Sequence, residues 1–236
     1  MKILALETSA KACSAAVTED GFVLASCYQN TGLTHSRTLM PMVDAMLKNA
    51  GLAGDELGAI AVAAGPGSFT GIRIGVAAAK GLAFALQIPC AGVSTLEAMA
   101  LGLAHVDGLI ICAMDARRSQ IYNALFEAKN GSLTRLTEDR PIALASLAED
   151  LRNDPRPKIT VGDGGALCRE FLESAGIPCR PAPQRLAQQN AVGVALAAEK
   201  MAAEKKLISP QALVPVYLRP AQAERLKDRT KKENGI

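Results

Sequence analysis

The sequence predicts an α/β protein whose chain runs twice through one plan, and three observations carry that reading. Short apolar runs bounded by turn residues alternate with helix-period segments in the order βββαβα, first from residue 2 and again from residue 108. The leading strand of each half is apolar and ends in an acid, Glu7 in the first and Asp115 in the second. Hydrophobic residues make up 49% of the chain and aromatics only 3%, with no Trp, so the core must be built from small aliphatic side chains that suit helices packed closely on a sheet.

Each element has its own warrant. KILALET (2–8), ACSAAVT (12–18) and FVLASCY (22–28) read as consecutive antiparallel strands, with Asp20-Gly21 turning the last two. THSRTLMPMVDAMLKNAG (34–51) reads as a helix closed by Gly51, with Pro41 tolerable only near its first turn or at a kink. LGAIAVAA (57–64) is a buried strand, 68–86 a helix, IPCAGVS (88–94) a short strand and 95–104 another helix. In the second half, GLIICAMD (108–115) is a strand, and SQIYNALFE (119–127) with the residues after Asn130-Gly131 forms a hairpin. A helix (144–153), the strand KITVGD (158–163), a helix (166–175) and a long amphipathic helix (190–206) follow.

That order outlines a duplicated ribonuclease-H-like unit. In actin-like ATPase and sugar-kinase (ASKHA) proteins, two such subdomains face each other across a cleft. The expected division is 1–106 and 107–220, with the helix at 190–206 completing the first subdomain. Residues 221–236 read as a charged, disordered tail, because AERLKDRTKKENGI has no apolar periodicity.

Composition weighs against several classes. A net charge of +3 is too mild to argue for direct nucleic-acid binding, where a domain usually shows a concentrated basic face. Six Cys (13, 27, 90, 112, 168, 179) form no C-x-x-C pair, so reduced thiols are expected rather than disulfides or a metal site. Glu7 interrupts the first apolar run, which is no signal peptide, and no 18-residue apolar stretch is free of charge. A soluble cytoplasmic chain with no membrane contact is the expectation.

The stretch AAGPGSFTGIRIGVAAAKGLA (63–83) invites a phosphate-loop reading and fails it. A Walker loop needs G-x-x-x-x-G-K-[ST], and no Gly-Lys follows; the dinucleotide fingerprint needs Gly where Thr70 stands. A generic capacity of the helix N-terminus to hold an anion remains. At about 100° per residue, Phe69, Ile72, Val76, Ala79, Ala83 and Leu86 share one face. Ile74, Ala77, Ala78, Gly81 and Ala85 make the opposite face, also uncharged, with Arg73 and Lys80 as a narrow polar stripe. A helix apolar nearly all round is covered on more than one side. The second cover is either its neighbour 34–51, carrying Leu39, Met40, Met42, Val43, Met46 and Leu47, or a helix of a partner. The partner is the preferred reading, because the neighbour has more apolar surface than one face needs.

In the expected cleft, Glu7 and Asp115 would stand near any metal and phosphate. Thr8, Ser9 and Ser14 fit a phosphate turn loosely, and Arg117 and Arg118 either clamp an anion or pair within a hairpin. Gly162, Gly164 and Gly165 either face a base or turn the chain. His35 and His105 are isolated, which argues against a His-based catalytic or metal site.

LALETSAKACSAAV (4–17), the 63–83 stretch, MDARRSQIY (114–122) and VPVYLRP (214–220) together resemble the TsaB (YeaZ) family. The resemblance implies two actin-like subdomains and association with a paralogous transferase subunit, TsaD. It also implies cooperation with a small ATPase, TsaE, in forming threonylcarbamoyladenosine 3′ to the tRNA anticodon, with tRNA met only indirectly. Where the transferase subunits read E-T-S-C-D-E-T, this chain has Lys11 and Ala12 in place of the acidic pair. Where they read H-M-E-G-H, it has Thr95, Glu97 and Met99, and Gln189 stands at a third, acidic ligand position. Hydroxyl, thioether and amide groups do not replace two imidazoles and a carboxylate around a transition metal. The implied role is therefore a non-catalytic scaffold without metal or cofactor of its own, a nucleotide at the subunit junction being left open. The partner face would comprise Leu39, Met42, Met46, Phe69, Arg73, Ile74, Ala77, Ala78, Gly81 and Ala85, and would serve a homodimer when the transferase is absent. Glu7, Thr8, Ser9, Asp115 and Arg118 would mark a vestigial cleft. The competing readings are an ATP-dependent phosphotransferase using that cleft and a metallopeptidase.

Overall fold

The computed structural model describes residues 1–117 and 119–219. Arg118 and the tail 221–236 therefore lie outside the described residues.

Three strands, β1 (Lys2–Glu7), β2 (Cys13–Glu19) and β3 (Phe22–Gln29), form an antiparallel meander. Its tight turn has Asp20 and Gly21 both at positive φ, 52° and 83°, the geometry that matches strand twist. Helix α1 (His35–Ala50) follows and ends at Gly51 in the left-handed region. Strand β4 (Leu57–Gly65) pairs parallel to β1, helix α2 (Phe69–Leu86) follows, and β5 (Cys90–Ser94) pairs parallel to β4. The Ser68 hydroxyl accepts from Gly71 N at the start of α2, and Ser94 does the same from Glu97 N for α3 (Thr95–Leu101).

The second half repeats the scheme: β6 (Gly108–Asp115), β7 (Gln120–Lys129), β8 (Ser132–Arg135), β9 (Arg140–Ala143), α4 (Leu144–Leu151), β10 (Lys158–Val161), α5 (Gly165–Ser174), β11 (Arg180–Pro181) and α6 (Ala191–Ala203). The sheets run β3-β2-β1-β4-β5 and β8-β7-β6-β10-β11, one topology used twice, with β9 added alongside β7.

Several boundaries differ from expectation for physical reasons. The helix expected to run to residue 104 stops at Leu101, where Leu103 N and Ala104 N close tighter turns onto Ala100 O and Leu101 O. The last helix ends at Ala203, short of 206, with Lys205 at φ 57°. Pro41 lies seventh in α1, inside the helix rather than in its first turn. Its solvent-facing position limits the lost hydrogen bond to an exposed carbonyl, while Leu39, Val43 and Met46 hold the opposite side to the core.

Each sheet lies between helical layers. On one face of the first, Leu4, Leu6, Ile60 and Val62 meet α1 and the inner side of α2. On the other, Ala5, Ala16, Ala59, Ala61, Ala63 and Ala91 meet Ala191, Val194, Ala195 and Ala198 of α6. Alanine against alanine brings this helix close, which is where the aromatic-poor composition is used. Helix α3 touches both halves: Ala98 joins the alanine layer, while Leu96, Met99 and Leu103 pack on Ile110, Cys112 and Phe126 of the second sheet. Helices α4 and α5 cover that sheet's far face.

Candidate functional site: a cleft and an uncovered helix face

The carboxyl ends of β1, β4, β6 and β10 meet at a cleft of about 550 Å³, lined by Ser9, Lys11, Ser68, Asp115, Arg117 and Asp163 among others. The fold thus brings the turns after Glu7 and Asp115 together. Glu7 is fully buried. One of its oxygens accepts from Ser9 N at 2.5 Å, and the other has no partner among the described residues. Burial pushes its carboxyl up to about 7; hydrogen bonds from Ser9 pull the other way, and the nearby Asp163 charge adds to the rise. Asp163 is a cleft residue that sequence reasoning missed. Its Oδ1 accepts from Gln189 Nε2 at 2.8 Å, and partial desolvation in the cleft wall holds its carboxyl above the ordinary value. Asp115 is exposed and accepts from Arg117 N at 2.7 Å, a local turn contact.

Two polar candidates serve the fold instead. The Thr8 hydroxyl donates to Gly71 O at 2.7 Å, and the Ser14 hydroxyl accepts from Ala191 N at 2.9 Å, at the start of α6. Ser14 is therefore a helix-anchoring residue, not part of a phosphate turn. The glycines of the 63–83 stretch have the same kind of role. A Cβ at Gly67 would stand 2.6 Å from Ser9 O, and one at Gly75 would stand 2.4 Å from Thr8 Oγ1. They let α2 press against the first turn, a close approach between backbone segments rather than a phosphate cradle. Similarly, a Cβ at Gly164 would stand 2.8 Å from Asp115 N.

Of the positions expected to align with metal ligands, Met99 is buried in the core of the second sheet, Thr95 is fully buried with no partner for its hydroxyl among the described residues, and Gln189 donates to Asp163. The retained Glu97 pairs with Arg135 at 3.1 Å. Arg135 also binds Asp139 at 2.7 Å and lies over the Phe126 ring. No group of three or more His, Cys, Asp or Glu able to hold a metal is found among the described residues. His35 hydrogen-bonds to Ala10 O at 2.8 Å.

The helix face is sorted differently from the wheel. Leu39 and Met46 are buried in the chain's own core, because α1 rolls that side onto β2 and β3; they do not belong to an outer face. Met42, Ile74 and Ala78 are half-buried at the edge of the same core. Ala77, Gly81 and Ala85 are exposed, and Phe84 beside them, absent from the expected set, is 68% exposed. Phe69 stacks on Tyr217 at 4.9 Å, and Arg73 donates to the Tyr217 hydroxyl at 2.8 Å. By length and mean hydropathy (1.4), α2 would suit a membrane span. Its apolar character is used on one side by β4, and the other side is left uncovered by the described residues.

Two sheets of one topology across a cleft define the duplicated ribonuclease-H-like, actin-like class. Within it, the chain is 38% identical to the tRNA threonylcarbamoyladenosine biosynthesis protein TsaB of Bacillus subtilis over 95% of its own length and 96% of that protein's. The chain belongs to the TsaB family. It is 32% identical to the Escherichia coli protein of the same name, covering 93% of this chain and 95% of that one. A family model described as tRNA N6-adenosine threonylcarbamoyltransferase, TsaD, matches residues 29–225. The solved structure of YeaZ from Pseudomonas aeruginosa matches with a TM-score of 0.78 at 29% identity, covering 92% of this chain and 99% of that one.

Proposed function

We propose that this chain is a non-catalytic, activating subunit in the cytoplasmic synthesis of threonylcarbamoyladenosine on tRNA. It pairs through the outer side of α2 and the adjoining edge of α1 with a TsaD-like transferase, and so enables a TsaE-like ATPase to act. Alone, it uses the same face to form a homodimer. The observation that carries this reading is the uncovered strip of Ala77, Gly81, Phe84 and Ala85. A Cβ at Gly81 would meet nothing within 4 Å among the described residues, so their packing does not require glycine there. Small residues flanked by an exposed aromatic suit the close approach of a second helix, with Phe84 as its anchor. Thr95 and Met99 at the two imidazole positions of the resemblance, with Met99 packed in the core, support a subunit without a metal centre of its own.

The test is tRNA threonylcarbamoylation reconstituted with transferase, ATPase and carbamoyl-donor enzyme. Product should require this chain, and Gly81→Arg should abolish both pairing and product while the variant stays folded. Product formed equally without the chain would overturn the proposal. A second reading, an ATP-dependent phosphotransferase, is favoured only by the convergence of Ser9, Asp115 and Asp163 on the cleft. Stoichiometric ATP hydrolysis by the isolated chain, lost in Asp115→Ala, would select it.

A further inference from the structure

A second groove lies at the other end of the second sheet. The loop from Arg152 to Lys158 leads into β10, and the loop from Gly176 to Arg180 leads into β11. These strands are parallel neighbours, so both loops lie at their amino ends, whereas the cleft sits beyond the carboxyl ends of β6 and β10. Between the loops is a groove of about 540 Å³. Pro155, Pro157 and Pro178 occur in its walls, and fixed φ at three positions limits how far the loops can rearrange.

The groove collects four cations. Arg156 is neutralised by Asp154 at 2.6 Å and Glu127 at 3.3 Å. Lys158 is buried, and its ammonium donates to the carbonyls of Asp154 (2.6 Å) and Arg156 (3.1 Å), with no carboxylate in ion-pair range among the described residues. Arg152 and Arg180 are exposed, and neither side chain has a polar partner among the described residues. The carboxyl ends of α4 and α5 also reach this groove and together offset about one charge. The guanidinium groups at the rim remain disengaged.

We propose that this groove grips the phosphodiester backbone of a folded RNA, with Arg152 and Arg180 each holding a phosphate over the positive floor made by Lys158. Planar guanidinium forks match phosphate oxygens, and loops already fixed lose little freedom on binding. The groove offers donors at its rim and walls stiffened by Pro155, Pro157 and Pro178, which fits a backbone better than the varied side chains of an acidic peptide. That the RNA is tRNA rests on the proposed function; the groove itself does not.

The test is binding of an unmodified tRNA transcript to the full chain, and to its complex with the transferase, over a range of salt concentrations. Arg152→Glu with Arg180→Glu should weaken binding roughly tenfold or more and lower the slope of log affinity against log salt by about 2, one phosphate per arginine. The charge-matched control, Lys200→Glu with Lys205→Glu on and just after α6, should leave both unchanged. Equal tRNA affinity and salt slope in the Arg152/Arg180 variant would overturn the proposal. So would loss of inorganic-phosphate binding alone with tRNA binding intact, which would make this a small-anion site. Capture of a poly-glutamate peptide in preference to tRNA would likewise replace RNA with an acidic protein segment. Pairing with the transferase, followed by sedimentation, should be normal in the groove variant. Failure of pairing in Gly81→Arg with tRNA binding retained separates the two proposals.

Discussion

Gly71 and Thr8 are packed backbone to backbone: a Cβ at 71 would fall 2.1 Å from the Thr8 carbonyl oxygen, and the Thr8 hydroxyl donates to Gly71 O at 2.7 Å. Ten residues further along the same helix, Gly81 faces open space among the described residues. One helix thus carries glycine for two unrelated reasons, and substitution separates them. Gly71→Ala should destabilise the fold by at least ~2 kcal/mol, since backbone cannot yield as a side-chain tip can. Gly81→Ala should be neutral or stabilise by up to about 1 kcal/mol. Urea unfolding of the two variants provides the comparison.

Leu39→Ala distinguishes core from interface on α1. Leu39 is buried against the first sheet, so truncation should cost about 2–5 kcal/mol of stability. Pairing with the transferase should fall only in proportion to the unfolded fraction. A pairing defect in a fully folded Leu39→Ala sample would return that residue to the interface.

The buried Glu7 predicts a pH dependence. Its carboxyl titrates near 7 in the folded chain against an ordinary value of 4.5, so the folded state holds a proton that the unfolded state has released between those values. Stability is therefore full below about pH 4.5 as far as this group is concerned, and declines as pH rises through 7, by on the order of a few kcal/mol. Asp163, shifted in the same direction, adds to the slope. Glu7→Gln should flatten the profile and raise the melting temperature at pH 8. An unchanged profile would place the carboxylate in a more polar setting.

Tyr217 fastens the segment after α6 to the start of α2 through the Phe69 ring and Arg73. Tyr217→Ala should accelerate amide exchange at Val216, whose N–H bonds to Ala64 O at 2.7 Å. Tyr217→Phe keeps the stacking and should have a much smaller effect.

The strands and helices with clear periodicity and turn punctuation were legible from residue order alone, as were the Ser68 start and Gly51 stop. Strands β9 and β11 were not, since they are four and two residues long, contain Pro141 and Pro181, and exist only through partners elsewhere in the chain. The approach of the Glu7 and Asp115 turns followed from the duplicated plan. Asp163 did not, because its setting depends on Gln189, 26 residues away. The wheel of α1 gave a broad apolar sector, and only its roll against β2 and β3 decides that Met46 turns inward while Met40 turns out.

The alanine face of the first sheet has a consequence for how the molecule is made. Its cover is α6, and further pieces come later still: Ile208 bridges to Cys90, Leu213 enters the core between sheet and α2, and Val216 bonds to Ala64. The half that leaves the ribosome first is therefore the half finished last. Until α6 is available, the nascent chain holds a nearly complete sheet with its alanine side bare, the kind of intermediate that invites premature association. A stop codon before α6 would leave that side open permanently, and one between α6 and the strap would instead take Leu213 from the core on the opposite side.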